Sequence, residues 1–125
     1  MKWTVILVEE VHAWLMELVR TDPKTAELVA AAVNVLSAEG PALGRPLVDS
    51  IRHSKLHNLK ELRPGSSGGT EIRILFVFDP DRQAVLLVAG DKSGQWRTWY
   101  RESVALAERR YEKWLNGGYQ SGEGS

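Results

Sequence analysis

The stretch that decides the fold runs from Thr70 to Asp91 and reads TEIRILFVFDPDRQAVLLVAGD. Its first part, Thr70 to Phe78, is rich in β-branched and aromatic residues and predicts a long strand. Asp79-Pro80-Asp81 follows, with proline at the position that a type I turn favours. Arg82 to Ala89 is almost continuously apolar, which is typical of a strand at the centre of a sheet. The stretch therefore predicts an antiparallel hairpin.

A further strand is predicted upstream of this hairpin, from Leu56 to Arg63. The residues from Pro64 to Gly69 are rich in glycine and serine and predict a flexible turn. This turn lacks the lysine and the helix N-terminus of a phosphate-binding loop, so we interpret it as a plain hairpin connection. Together the three strands predict an antiparallel meander over Leu56 to Asp91.

The N-terminal part predicts one strand and two helices. Thr4 to Val8 is short, apolar and β-branched, as in a strand. The next segment places apolar residues at helical spacing, from Val11 to Leu18. Asp22 and Pro23 are suited to cap and begin a second helix, which ends at Gly40-Pro41. The two helices are expected to form an antiparallel pair.

The remaining segments complete the predicted domain. Residues 41–55 are expected to be irregular because of their prolines and glycines. Arg97 to Leu115 shows helical spacing, and residues 116–125 have the polar, glycine-rich composition of a disordered tail. The resulting order, β-α-α-β-β-β-α, predicts a single α+β domain over residues 1–115 with a four-stranded, mainly antiparallel sheet covered by the helices.

Composition limits the class of protein. The chain has 125 residues and no cysteine, which excludes a disulfide scaffold and a cysteine-based zinc site. Its first apolar run, Trp3 to Val8, is too short for an export signal, and no run approaches the length of a membrane span. We therefore expect a cytoplasmic protein that does not bind membranes.

The formal net charge is zero, but the charge is unevenly distributed. Residues 45–101 contain ten basic and six acidic side chains, whereas residues 1–44 contain three basic and six acidic ones. A basic centre between more acidic ends leaves nucleic-acid binding open.

The basic side chains of the meander are the clearest candidates for a site. In a meander the end of one strand adjoins the start of the next, so Arg63 and Arg73 are expected to be neighbours, with Lys92 at the same edge. Such a set suits phosphate binding. The alternative pairs these cations with Glu61, Glu71 and Asp91 on a solvated sheet face, and the residues alone do not decide between the two.

Histidine and aromatic residues add weaker candidates. His53 and His57 are candidates for proton transfer, although exposed structural histidines are the simpler interpretation. Trp96, Trp99 and Tyr100 cluster at the start of the last helix, beside basic residues, where aromatic rings can stack on unpaired bases. For the two tryptophans, packing of the helix onto the sheet is the competing explanation.

The motifs Leu59-Lys60-Glu61-Leu62-Arg63, Glu71 to Asp79 and Leu86 to Lys92, in this order and spacing, resemble the toxins of the RelE/ParE superfamily. The similarity is greatest to the HigB-like, phage Gp49-like branch. The shared order, with the helix that follows the motifs, covers about residues 50–115, and the first strand and the helix pair extend the resemblance to most of the chain. It implies the RelE-like fold.

The resemblance also implies an activity and a site. RelE and HigB-like toxins are endoribonucleases that cleave mRNA on the ribosome without a metal or other cofactor. By position, the resemblance implies Arg63, Arg73, Lys92 and Tyr100 as catalytic residues. Further residues are expected to contact RNA, namely His53, Lys55, Lys60, Trp96 and Arg97.

The implied partners are mRNA on the ribosome and a cognate antitoxin protein of the helix-turn-helix type, through which the complex would reach DNA. Two other functions stay open. A ParE-like toxin would inhibit DNA gyrase on the same fold without cleaving RNA. A non-catalytic, phage-derived binding module would account best for the neutral net charge.

Overall fold

A five-stranded sheet with three α-helices forms the protein in the computed structural model, which describes residues 2–119. The elements in chain order are β1 (Thr4–Leu7), α1 (Glu9–Thr21), α2 (Pro23–Glu39), a 3₁₀ turn (Gly40–Ala42), β2 (Val48–Ser50), β3 (Lys60–Leu62), β4 (Ile72–Phe78), β5 (Gln83–Asp91) and α3 (Trp96–Leu115). The α+β class is confirmed. From residue 120 onward, the predicted tail lies outside the described residues.

The sheet has the strand order β1-β5-β4-β3-β2. The pairs β2–β3, β3–β4 and β4–β5 are antiparallel, and β1 is parallel to β5. The predicted meander is therefore present as β3, β4 and β5. Five consecutive residues of β5, Ala84 to Val88, are buried, so both faces of this strand are covered, as its apolar sequence predicts.

The prediction of four strands is wrong by one strand. Residues 48–50, expected to be irregular, form β2 at the edge of the sheet, where Val48 faces Leu62 and Ser50 faces Lys60. A three-residue strand has too little sequence pattern to be recognised alone. Its backbone is held in the sheet by the partner strand, and the buried Val48 anchors it in the core.

The strand β3 is shorter than the predicted Leu56 to Arg63. Residues 56–59 form a turn, in which the N–H of Leu59 donates to the carbonyl of Leu56 at 3.2 Å. His57 and Asn58 are exposed in this turn, whereas Leu59 is fully buried. The apolar residues thus mark contacts with the core, and ladder pairing begins only at Lys60.

The N-terminus of α2 is capped as predicted. The backbone N–H of Thr25 donates to Oδ1 of Asp22 at 3.2 Å, and Pro23 is the first helical residue. Ser67 donates its hydroxyl to Oδ2 of the same aspartate at 2.8 Å. These bonds fix the glycine-rich turn between β3 and β4 to the helix, as expected for a structural connection.

The last helix is seated on the sheet at its first turn. Trp99 lies so close to Gly90 of β5 that a Cβ there would be 2.7 Å from its indole Nε1. Further along, Arg110 donates to the carbonyl of Leu87 at 2.8 Å. These contacts determine where Tyr100 lies. Among residues 2–119, no helix is long and apolar enough to span a membrane.

Candidate active site

The last residues of β3 and β5 and the first residues of β4 lie at the same end of the sheet, which brings the predicted cations together. Leu62 faces Ile74, and Arg73 faces Gly90. Arg63 follows β3 directly, and its N–H donates to the carbonyl of Leu47 at 2.8 Å. Lys92 follows β5, where its N–H donates to the carbonyl of Glu71 at 3.0 Å.

A buried carboxylate, Glu61, lies at the centre of this cluster. The residue is 2% exposed. Its Oε2 accepts a hydrogen bond of 2.8 Å from Nε of Arg63, and its Oε1 accepts one of 2.6 Å from the hydroxyl of Tyr100. Nε of Arg73 is 3.9 Å from Oε1. A single carboxylate therefore joins three of the four predicted catalytic residues. We call Glu61 together with these three residues, Arg63, Arg73 and Tyr100, the Glu61 cluster.

Arg63 is held on two sides. Besides its bonds to Glu61, its NH2 group is 3.2 Å from Oδ2 of Asp49 on β2. Partial burial lowers the pKa of Arg63, but the hydrogen bond and charge of Glu61, with the charge of Asp49, outweigh it and raise the pKa above its usual value. The guanidinium is therefore a permanent, oriented cation. Edge strand β2 thus supplies a residue of the site.

The guanidinium of Arg73 makes fewer hydrogen bonds than that of Arg63. Its NH1 group donates to the carbonyl of Ile72 at 2.8 Å. Its buried Nε–H donates to no partner within hydrogen-bonding distance among residues 2–119. Buried donors without a partner are rare in proteins and are often found where function requires them. The side chain, 18% exposed, is thus a cation with unused donor capacity.

Tyr100 is a protonated phenol at neutral pH. Burial raises its pKa, and the hydrogen bond to Glu61 adds to the effect, so that the pKa reaches about 12. The ring packs edge-on against Trp99, with centroids 5.2 Å apart. Nζ of Lys92 lies 5.7 Å from the Tyr100 ring centroid and 3.3 Å from Oε1 of Glu71. The lysine therefore borders the Glu61 cluster without contacting the carboxylate of Glu61.

The two interpretations of the cations each describe part of this arrangement. Glu61 and Glu71 do pair with the cations, as the alternative expected. The pairs do not form a solvated sheet face, however, because Glu61 is buried and Arg73 and Lys92 are each 18% exposed at the side chain. Asp91 instead accepts hydrogen bonds from the backbone N–H groups of Glu71 and Ser93.

The residues predicted to contact RNA lie around this cluster in different settings. Lys60 donates to Oγ of Ser50 at 3.4 Å. Trp96 is 53% exposed and lies under the guanidinium of Arg97, 5.2 Å from it. Packing onto the sheet therefore explains Trp99 but not Trp96. His53 and Lys55 are exposed in the loop after β2.

A cleft of about 540 Å³ opens beside Tyr100, between the loop after β2 and α3. His53 lines it, and so does Glu108 of α3. Oε2 of Glu108 accepts from Oγ of Ser54 at 2.9 Å and from the N–H of Lys55 at 2.8 Å, which holds the loop against the helix. No three His, Asp or Glu side chains among residues 2–119 are grouped so that they could hold a metal ion.

Sequence reasoning did not assign Glu61 or Glu108 to the site. Glu61 lies within the motif Leu59 to Arg63, and an acid between the apolar Leu59 and Leu62 is a signal for a buried, paired charge. Glu108 carries no such signal. Glu108 becomes part of the site only because α3 packs beside the loop after β2.

Comparison with known proteins agrees with the fold. The model of the family described as phage derived protein Gp49-like matches residues 16–112. A structure of the Escherichia coli toxin RelE, a double arginine-to-alanine mutant in the free state, superimposes with a TM-score of 0.61 at 14% identity, covering 88% of this chain and 98% of RelE. At this identity the likeness concerns the fold alone.

Two curated relatives come from Mycobacterium tuberculosis. The candidate toxin HigB2 is 53% identical over 113 residues, which cover 90% of this chain and 54% of HigB2, so the chain spans about half the length of that relative. The candidate toxin HigB3 is 49% identical over 111 residues, covering 89% of this chain and 92% of HigB3. The chain therefore belongs to the phage-derived Gp49-like family, is HigB-like in sequence and has the fold of RelE.

Proposed function

We propose that this protein is the toxin of a type II toxin–antitoxin pair and that it acts in the cytoplasm as a ribosome-dependent endoribonuclease. The observation that carries the proposal is the Glu61 cluster. It places two arginines and a protonated phenol around one buried carboxylate at the end of the sheet. This combination of oriented cations and a proton donor suits phosphoryl chemistry.

In the proposed reaction, a ribose 2′-oxygen attacks the adjacent phosphorus, and the bond from phosphorus to the 5′-oxygen breaks. The products are a 2′,3′-cyclic phosphate and a free 5′-hydroxyl. Arg63 and Arg73 hold the non-bridging oxygens, on which negative charge builds in the transition state. Arg73 suits this role because its Nε–H has no hydrogen-bond partner among residues 2–119.

The departing 5′-oxygen needs a proton, and two donors adjoin the arginines. Nζ of Lys92 lies 5.7 Å from the centroid of the Tyr100 ring. Tyr100 keeps its proton up to a pKa of about 12, but it directs that proton at Glu61 and must turn from it to reach RNA. His53, which lines the cleft with Tyr100, is an imidazole suited to accept the proton of the 2′-hydroxyl.

The proposed partners are mRNA in the ribosome and a helix-turn-helix antitoxin encoded beside the toxin. The exposed Trp96 and Arg97 are suited to stack on RNA bases, and Lys55 and Lys60 to bind phosphates. The antitoxin would silence the protein and connect the complex to DNA.

The decisive experiment is to induce the protein in cells and to map the 5′ ends of mRNA. Wild type should arrest growth and create new ends within codons. The Arg63→Lys and Arg73→Lys double variant should lose both effects, because lysine keeps a counterion for Glu61 but lacks the planar donor geometry of arginine. The matched control is Arg20→Lys with Arg109→Lys, two exposed arginines that are not part of the cluster.

Each other outcome has a defined meaning. Growth arrest without new mRNA ends would refute the nuclease and point to gyrase or another target. Absence of arrest from the wild-type protein would favour a non-catalytic binding module. Equal cleavage by wild type and the arginine double variant would remove Arg63 and Arg73 from the mechanism.

A further inference from the structure

The cleft beside Tyr100 has the size and lining of a small-ligand site. Its volume of about 540 Å³ lies in the usual range for such sites. Ile51, Val104 and Ala105 give it an aliphatic lining suited to the faces of a flat ring. Tyr100 is one of the lining residues, and its hydroxyl donates to Glu61. The cleft therefore adjoins the Glu61 cluster, where the phosphate is proposed to lie.

The cleft contains one fixed anionic acceptor, Glu108. Oε2 accepts both of the hydrogen bonds to this side chain, from Ser54 and Lys55. Within residues 2–119, Oε1 accepts no hydrogen bond, so it is available to a ligand. The backbone N–H of Lys55 is the main cause that lowers the pKa of Glu108, and the group is ionised at neutral pH.

The cleft also contains two arginines whose side chains have no partner among residues 2–119. Arg52 and Arg101 line it and are exposed. Neither side chain makes a hydrogen bond or an ion pair with any other part of the described chain. This distinguishes them from Arg63, which two carboxylates hold in place. The cleft thus offers guanidinium donors and a carboxylate acceptor around an apolar lining.

We propose that this cleft binds a guanine base of the RNA next to the scissile phosphate, with Glu108 as the residue that selects it. Guanine is the one RNA base with two adjacent N–H donors, N1–H and N2–H, on one edge. Its other edge carries the acceptors O6 and N7, which arginine binds with two hydrogen bonds. Adenine, cytosine and uracil place an acceptor beside each donor, which a carboxylate repels.

This inference deepens the proposed nuclease function and rests on it for its biological role, but binding can be tested without cleavage. The full-length protein would be titrated with 3′-GMP, 3′-IMP, 3′-AMP, 3′-CMP and 3′-UMP, with NMR shifts as the signal. We expect 3′-GMP to bind roughly tenfold more tightly than the other three standard nucleotides. Because 3′-IMP lacks the N2 amino group, it should fall in between.

Three variants identify the selecting group. Glu108→Gln keeps an oxygen for Ser54 and Lys55 but replaces the free oxygen with a donor, so the guanine preference should disappear. Glu112→Gln, an exposed residue on the same helix, should retain the preference. Ser54→Ala removes one contact of the loop but keeps the carboxylate, and it should retain the preference too. Arg52→Ala should weaken 3′-GMP binding and gives a second test that does not depend on how Glu108→Gln folds.

The outcomes separate this proposal from the nuclease proposal. Equal binding of all four standard nucleotides by wild type, or an unchanged preference in Glu108→Gln, would overturn the guanine subsite. A guanine preference in a wild-type protein that cleaves no mRNA would refute the nuclease and support the subsite. Cleavage whose mapped ends show no enrichment next to guanine would refute the subsite and support the nuclease.

Discussion

The phenol of Tyr100 donates a hydrogen bond of 2.6 Å to one oxygen of Glu61, while Nε of Arg63 donates one of 2.8 Å to the other. The helix α3 and the strand β3 are thereby joined through one buried carboxylate. Glu61 is too buried to contact RNA itself. Its role in the proposed reaction is to position the groups that do.

Replacing Glu61 with glutamine should weaken both folding and cleavage. The amide keeps the size of the side chain but removes the charge that orients Arg63. Hydrogen bonds to charged groups contribute about 1.5–3 kcal/mol, so we expect the free energy of unfolding to fall by roughly 1–3 kcal/mol in urea denaturation. Cleavage should fall in parallel, since Arg63 and Tyr100 lose their shared partner.

Glu71→Gln is the matched control for this change. Glu71 pairs with Lys92, but its side chain is 52% exposed, and exposed ion pairs contribute about 0–1 kcal/mol. Its unfolding midpoint should therefore remain close to that of wild type. If Glu61→Gln is as stable and as active as Glu71→Gln, the central role of Glu61 is wrong.

The sequence was sufficient to predict strands where the apolar pattern is long. The seven residues of β4 and the nine of β5 are mostly apolar, and both strands were predicted close to their observed bounds. The strand β2 has three residues, and its pairing with β3 depends on contacts distant in sequence.

The site shows the same division. Arg63, Arg73 and Lys92 could be placed at one end of the sheet because antiparallel register alone brings strand ends together. The pairing of Glu61 with Tyr100 could not be predicted, because the two residues are 39 positions apart and meet only when α3 packs on the sheet.

Tyr100→Phe should change how stability depends on alkaline pH. The folded-state pKa of Tyr100 is about 12, above the value of about 10 in unfolded chains. Its contribution is therefore fully present below pH 10 and is lost as the pH rises towards 12. In the phenylalanine variant, the free energy of unfolding should be lower at pH 8 and should decline less between pH 10 and 12, as measured by urea denaturation at each pH.

Tyr119→Phe provides the comparison. Burial and the nearby carboxylate of Glu10 raise the pKa of Tyr119 to about 12 as well, but Tyr119 is not part of the Glu61 cluster. Both variants should thus show a flatter alkaline profile, while only Tyr100→Phe should lower mRNA cleavage. Normal cleavage by Tyr100→Phe would exclude its hydroxyl as the proton donor.

Gly90→Ala should disturb the site through the start of α3. The added Cβ would lie 2.7 Å from Nε1 of Trp99, so the indole must move, and Tyr100 follows it in the helix. Overpacking of this kind costs about 1–3 kcal/mol. Gly69→Ala is the control, since a Cβ there meets no atom within 4 Å. Thermal unfolding of the two variants, with cleavage assays, would show whether the close approach at Gly90 is required.

Trp96→Ala should lower the affinity for ribosomes without lowering the stability of the fold. The side chain is 53% exposed, so its removal should change the free energy of unfolding by no more than about 0.5 kcal/mol. Stacking of one base on an aromatic ring contributes about 1–3 kcal/mol, so affinity for programmed ribosomes should fall by roughly tenfold, measured by co-sedimentation. Leu115→Ala, at the other end of the same helix and 62% exposed, should leave both quantities unchanged. Equal ribosome affinity of the two variants would show that Trp96 does not contact RNA, and the aromatic contribution to binding would then have to come from Tyr100 alone.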